Sequence, residues 1–182
     1  MLELALHILD IAENSVRAGA RTVSISIEEN RSKDRLAIVI GDDGMGMDET
    51  TLKRALDPFY TTKKVRRVGL GLPMLSEAAA AAGGKFEIAS RVGEGTCVTA
   101  EFQLRHIDRQ PLGDVSGVIV TLIAGNPCID FVYRHQCEDR IFTMDTREIK
   151  RNIGNVPINH REVLKFIRQY IKEGLHDIQS GP

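Results

Sequence analysis

Asp10, Asn14 and Arg17 stand four and then three residues apart, so on a helix they share one stripe and present an acid, an amide and a base together. Asparagine is a poor helix former, and its place inside an otherwise helical stretch asks for a reason. Two reasons fit the spacing. One is a solvated polar face. The other is a site in which the Asn14 amide oxygen holds a magnesium ion that bridges triphosphate oxygens. In that second case Asp10 orients water or a hydroxyl, and Arg17 meets phosphate charge.

A second set lies in Asp42-Asp43-Gly44-Met45-Gly46-Met47. The strand-forming run Leu36-Ala37-Ile38-Val39-Ile40 leads straight into it, so Asp42 sits where a buried strand ends and the backbone must turn. Gly44 and Gly46 carry no Cβ and let the main chain approach a flat or anionic ligand. A carboxylate at the strand end can accept a hydrogen bond from an exocyclic amine such as that of adenine. Taken alone, such a turn is often built from Asp and Gly for steric reasons only. It gains weight from its neighbours.

The third set is basic and then glycine-rich. Lys63, Lys64, Arg66 and Arg67 precede Val68-Gly69-Leu70-Gly71-Leu72, which opens a helix running to about Ala82. Helix-start glycines let backbone amides reach phosphate, and the helix dipole favours the anion. A basic loop before such a start reads as a phosphate lid and cradle. Thr96, just after the turn Gly93-Glu94-Gly95, is either a base-contacting hydroxyl acting through water or an ordinary strand threonine.

The elements that must position these groups follow from periodicity. Residues 2–18 read as a helix ending near Gly19, and Thr22–Glu28 alternates as a half-buried strand before a polar turn and the strand 35–41. Met47 to Leu56 is a short helix with Asp48 as its N-cap, stopped by Pro58, with Phe59 ready to plug the core. Gly83-Gly84 caps the helix before a hairpin of 85–90 and 96–104. Val115–Ile123 has helical spacing behind Asp114, although its β-branched content also suits a strand. Residues 129–135 and 140–145 pair around Glu138-Asp139, 147–152 form a short helix, 162–175 an amphipathic one, and 176–182 are expected to fray. His106, His135, His160 and His176 are scattered and read as surface residues; His7 reads as packed or solvated.

Composition sets the class. A chain of 182 residues with 42% hydrophobic and 27% charged residues and a net charge of −1 can bury a proper core and has no field that favours nucleic acid or an anionic membrane. No apolar run approaches a membrane span, and the start is not a signal peptide. Cys97, Cys128 and Cys137 show no C-x-x-C spacing and read as reduced thiols of a cytoplasmic protein.

Taken in order, the helix stripe, the D-x-G-x-G turn, the Phe59 segment and the glycine-rich helix start make residues 1–105 resemble the ATP-binding domain of the GHKL superfamily, which includes DNA gyrase, heat-shock chaperones, histidine kinases and MutL. Asp57-Pro58-Phe59-Tyr60-Thr61-Thr62-Lys63, Gly69-Leu70-Gly71-Leu72-Pro73 and Gly93-Glu94-Gly95-Thr96 look like a sensor kinase, whereas Asp10 to Ser15 with Ala18-Gly19-Ala20 looks more like MutL. The resemblance implies an α/β two-layer sandwich, a mixed sheet with helices on one face. It also implies that Asn14 ligates magnesium, Asp42 reads adenine with support from Thr96, and Gly69 to Leu72 cradle the phosphates.

Two departures from that family stand out. Asp10 occupies the place where hydrolysing members carry a glutamate one turn before the asparagine. Arg67-Val68 stand where kinases carry a further glycine. A shorter acid reaches a nucleophile less well, which weighs against efficient hydrolysis. The sequence also holds no two-helix segment bearing a phosphoacceptor histidine, and neither the strap nor the transducer domain of gyrase and MutL. The expectation is therefore an ATP and Mg2+ module of the histidine-kinase-like type, transferring phosphate to a separate protein. The alternative is a slow ATPase or an ATP/ADP-sensing switch. Residues 106–182 form a small α+β extension that carries no catalytic set and is the candidate for docking an unidentified protein partner.

Overall fold

The structure, a computed structural model, describes residues 3–56 and 71–180. The first helix, α1 (Leu4–Arg17), buries Leu4, Ala5, Ile8, Ile11 and Ala12 on one stripe. It has no side-chain N-cap. Instead, the first free amides, those of Leu4 and Ala5, donate to the carbonyls of Pro111 and Leu112 at 2.9 and 2.8 Å. The connector before the last third of the chain thus supplies what a capping residue would otherwise provide.

Strands β1 (Thr22–Asn30) and β2 (Arg35–Asp42) pair antiparallel, as do β3 (Lys85–Arg91) and β4 (Gly95–Gln103). Between the two pairs lie α2 (Glu49–Ala55), capped by Asp48 accepting from Thr51 N at 2.7 Å, and α3 (Gly71–Ala81). After β4 come α4 (Val115–Gly125), the hairpin β5 (Asp130–Cys137) and β6 (Arg140–Asp145), and then α5 (Thr146–Ile153) and α6 (Arg161–Asp177). Helix wins over strand at 115–125 because the Asp114 carboxylate accepts from Gly117 N at 2.9 Å and fixes the first turn.

Among the described residues six strands join one sheet in the order β3-β4-β2-β1-β5-β6. The β1–β5 pairing is parallel and the others are antiparallel, which makes the sheet mixed. Alternate residues face a single layer of helices. Val23, Ile25 and Ile27 of β1, Ile38 and Ile40 of β2, Val98 and Ala100 of β4, and Phe131 and Tyr133 of β5 pack with α1, α3, α4 and α6. Ser24, Cys97 and Thr143 stand on the opposite, exposed face. One hydrophobic cluster runs from Leu4 to Ile178 and draws on both halves of the chain.

Two expectations are corrected here. Residues 176–180 do not fray. Helix α6 continues to Asp177, Ile178 is 5% exposed, and Ser180 Oγ donates to Glu29 Oε1 at 2.5 Å. His135 is not a surface residue. It alternates inward with Phe131, Tyr133 and Cys137 on β5 and is fully buried, bonded to Glu29.

Candidate functional site

The site is built where β2 ends against the C-terminal half of α1. Asp42 lies directly opposite Val23 on β1 and Thr96 on β4, so its side chain points to the helix-covered side of the sheet. Both its oxygens are held. Gly44 N donates to Oδ1 at 2.9 Å, and Ser15 Oγ, one residue beyond Asn14 on α1, donates to Oδ2 at 2.6 Å. Donors from two separate elements fix the plane of the carboxylate. Its remaining lone pairs are left for an incoming N–H group.

Asp43 does a different job. Its Oδ1 accepts from Arg21 N and Thr22 N at 2.7 and 2.9 Å, which ties the turn to the start of β1. Those backbone donors hold its carboxyl below the usual carboxylate range. The two glycines of the turn answer to the protein's own backbone. A Cβ on Gly44 would lie 2.9 Å from the Ala18 carbonyl oxygen, and one on Gly46, at φ +66°, would collide with the Arg91 carbonyl. Met45 N donates to Ala18 O at 2.9 Å, and Gly93 N donates to Met45 O at 2.8 Å. The turn is therefore clamped between α1 and the β3–β4 hairpin.

Ser90 completes that clamp. It accepts from Met47 N at 2.8 Å, lies 2.9 Å from Gly95 O, and is 2.8 Å from the Thr96 hydroxyl. Thr96 thus sits beside Asp42 in register, but its hydroxyl partner is Ser90 rather than the carboxylate. The two hydroxyls that organise this end of the sheet, Ser15 and Ser90, escape a reading of the sequence. Ser15 carries one local signal, a polar residue placed on the buried stripe of an amphipathic helix.

On α1, Arg17 Nη2 donates to Asn14 Oδ1 at 2.7 Å while Nη1 lies 3.5 Å from Glu13. The oxygen suited to a hard cation therefore receives a guanidinium N–H. Asp10, one turn earlier, rests against the first residue of α3, where a Cβ on Gly71 would collide with the Asp10 carboxylate. A side chain at position 71 would have to displace the Asp10 carboxylate. That contact brings the helix start into the same corner as the α1 stripe. Leu72 is half-buried and packs its side chain against the core. The stripe of α1, the start of α3 and the end of β2 thus converge. Lys63, Gly69 and Leu70, together with the expected Pro58 stop and Phe59 plug, lie outside the described residues.

Among the described residues no group of three or more His, Cys, Asp or Glu side chains could hold a metal ion, and no helix is long and apolar enough to cross a membrane. Magnesium bound through one or two protein oxygens, with phosphates and water completing its shell, does not need such a cluster. Asn14 Oδ1 is an oxygen of that kind, and here it is engaged by the Arg17 guanidinium.

Comparison with known proteins agrees with the geometry. The family described as histidine kinase-, DNA gyrase B-, and HSP90-like ATPase matches residues 2–106. The chain is similar to the sensor protein kinase FleS of Pseudomonas aeruginosa, 36% identical over 92 residues, covering 50% of this chain and 23% of that protein. It is also similar to sporulation kinase C of Bacillus subtilis, 30% identical over 88 residues (48% of this chain, 20% of the relative). A further match is the sensor histidine kinase WalK of the same organism, 33% identical over 82 residues (42% and 13%). The chain thus spans under a quarter of the length of these relatives. A solved structure described as the N terminal domain of a DNA repair protein aligns with TM-score 0.56 at 14% identity, covering 79% of this chain and 52% of that one. At that identity it speaks for the fold alone. Its coverage exceeds the family segment, so part of the last third shares the same architecture. The chain belongs to the histidine kinase-, DNA gyrase B-, and HSP90-like ATPase family, and its ATP-binding segment is of the histidine-kinase type.

Proposed function

We propose that this chain is a cytoplasmic protein that binds ATP with magnesium and passes the terminal phosphate to a separate protein. The observation that carries the reading is the Asp42 carboxylate, set by Ser15 and Gly44 beside a helix whose next residue is Asn14. Asp42 accepts from the exocyclic amine of adenine. Gly44 and Gly46 keep the turn thin, and Thr96 lines the base site with Ser90 behind it. At the other end, Asn14 offers its amide oxygen to the metal. Arg17 and Lys63 meet phosphate charge, and the backbone of Gly69, Leu70, Gly71 and Leu72 receives phosphate oxygens. Magnesium, when bound, neutralises charge across the phosphate oxygens, which is most of what phosphoryl transfer demands beyond positioning. Asp10 then orients the incoming hydroxyl or imidazole of the acceptor. The kinase relatives support transfer, and residues 106–182 are the segment that docks the acceptor.

A second reading is a slow ATPase or a non-catalytic ATP/ADP-sensing switch. The contact of Arg17 with Asn14 favours it, because the metal-binding oxygen must be released from its own helix before the site can load.

Incubation with ATP labelled at the γ-phosphate separates the readings. Label that moves from ATP to a purified acceptor, and that stays in ATP with the Asp10→Asn variant, supports transfer. Label that appears as free phosphate without any acceptor, and is lost in the variant, makes the chain an ATPase. Label that stays in bound ATP under every acceptor tried leaves sensing as the function and overturns the transfer reading.

A further inference from the structure

A serine inside a helix usually returns its proton to the carbonyl one turn back. Ser15 has that option, since Ile11 O lies 3.4 Å from its Oγ. Its one proton goes instead to Asp42 Oδ2 at 2.6 Å, the short distance of a hydroxyl bonded to a charged acceptor. The side chain is 4% exposed, so no solvent competes for that proton. Asp42 therefore has one oxygen engaged by the turn that follows it and the other by a helix that lies 27 residues away in the chain. Neither donor alone fixes the carboxylate plane. A carboxylate held only by Gly44 turns about its terminal bond, which is a broad torsion.

We propose that Ser15 sets the base specificity of the nucleotide site, by holding Asp42 in the one plane that accepts from a 6-amino group and opposes a 6-oxo group. The inference rests on the reading that Asp42 faces the base. With the plane fixed, the free lone pairs meet N–H donors favourably. The lone pairs of a 6-oxopurine face them with like charge. Without Ser15 the carboxylate rotates, water enters, and the penalty against the oxo group falls. Ser15 is a positioning residue in this scheme, since it acts on the base through Asp42. It also follows Asn14 on α1, so one turn of helix orients the base reader and carries the proposed metal ligand.

The test is a set of calorimetric titrations with ATP, with ITP (a 6-oxopurine) and with purine riboside triphosphate, which has no substituent at position 6. The proteins are the parent chain and the variants Ser15→Ala, Ser15→Thr and Asp42→Asn, each confirmed as folded by its thermal transition. Ser15→Ala is expected to weaken ATP binding about tenfold while changing the 6-unsubstituted analogue by less than about twofold, so the preference for ATP over ITP shrinks. Ser15→Thr, which keeps the hydroxyl, restores the preference. Equal losses for ATP and for the unsubstituted analogue with Ser15→Ala would mean a general packing role and sink the inference. If Asp42→Asn abolishes the preference and Ser15→Ala leaves it intact, the inference alone fails. If Asp42→Asn also leaves it intact, the assignment of Asp42 to the base fails, and the role of Ser15 falls with it.

Discussion

The β1–β2 pair carries a carboxylate toward the helix layer at each end, and each takes a serine hydroxyl. At one end Ser15 donates to Asp42 at 2.6 Å; at the other Ser180 donates to Glu29 at 2.5 Å. Their surroundings make them opposites. Glu29 is 4% exposed and also meets His135 Nε2 at 2.8 Å, and the His135 Nδ1 lies 2.6 Å from the Tyr133 hydroxyl. Burial, with the Glu29 charge adding to it, pushes the Tyr133 phenol far above its ordinary range, so Tyr133 stays protonated beside His135 Nδ1. His135 Nε2 faces Glu29 Oε1, which also takes the Ser180 hydroxyl, so the groups form one buried chain of contacts. Asp42 is only half-buried and has donors on its oxygens but, among the described residues, no cation. The same pairing of carboxylate and serine is sealed from water at one end and left half-exposed at the other, where the proposed function puts the base.

The sealed end yields the largest expected effect. His135→Ala removes the middle of a buried network that ties β1, β5 and the residues after α6 together. Breaking a buried pair of this kind costs about 3 kcal/mol or somewhat more. Urea unfolding should show that loss, while ATP affinity below the transition stays unchanged. A variant that lost affinity in step with stability would show that the two ends are not separate.

The open end yields the converse. Asp42→Asn keeps the shape but removes the charge, and hydrogen bonds to charged groups are worth about 1.5–3 kcal/mol, or roughly ten- to a hundredfold in affinity. The stability of the ligand-free chain should hardly move, and the rise of its melting temperature at a fixed ATP concentration should shrink. A large fall in intrinsic stability instead would make Asp42 a second fastener.

What the sequence discloses and what it hides divides along the same line. Strand alternation and capping residues such as Asp48 and Asp114 are local, and they place the elements within a residue or two of their observed ends. Motif order in the sequence also points to Asp10, Asn14 and Asp42 as candidates, and their roles stay part of the proposal. The partners that define both carboxylates are not. Ser15 is 27 residues from Asp42, and His135 is 106 from Glu29, and no periodicity carries such a pairing. Nor does any local pattern tell that β5 lies parallel to β1. His135 is the instructive miss, because its place in the inward series Phe131, Tyr133, His135, Cys137 was visible. A polar side chain at an inward position of a strand signals a buried partner, and composition alone obscured it.

A smaller effect is expected at Arg17. Its guanidinium occupies Asn14 Oδ1 at 2.7 Å on a half-exposed surface, where such contacts contribute about 0.2–1 kcal/mol. Arg17→Met should lower the magnesium concentration that half-saturates nucleotide binding by about two- to fivefold, and should weaken ATP binding in the absence of magnesium. An unchanged magnesium requirement would remove Asn14 from the metal site.

The smallest and most discriminating effect concerns His7, the counterpart that neither end resembles. It is buried on α1, its Nε2 meets Gln110 Oε1 at 3.0 Å, and its Nδ1 has no partner among the described residues. Burial pulls its pKa below 6.5, and the Gln110 contact only partly offsets that. With the folded value below the unfolded one, the unfolded chain binds the extra proton first. The contribution of His7 to stability is therefore complete above about pH 6.5 and is lost as the pH falls through that value toward the folded pKa. His7→Gln keeps a polar group facing Gln110 and removes the titration. The drop in melting temperature between about pH 7.5 and about pH 5.5 should then be smaller than in the parent chain. An identical drop would mean that protonated His7 is accommodated where it lies. The open Nδ1 would then have a partner on protonation, and His7 would belong with His135 among the satisfied polar groups of the core.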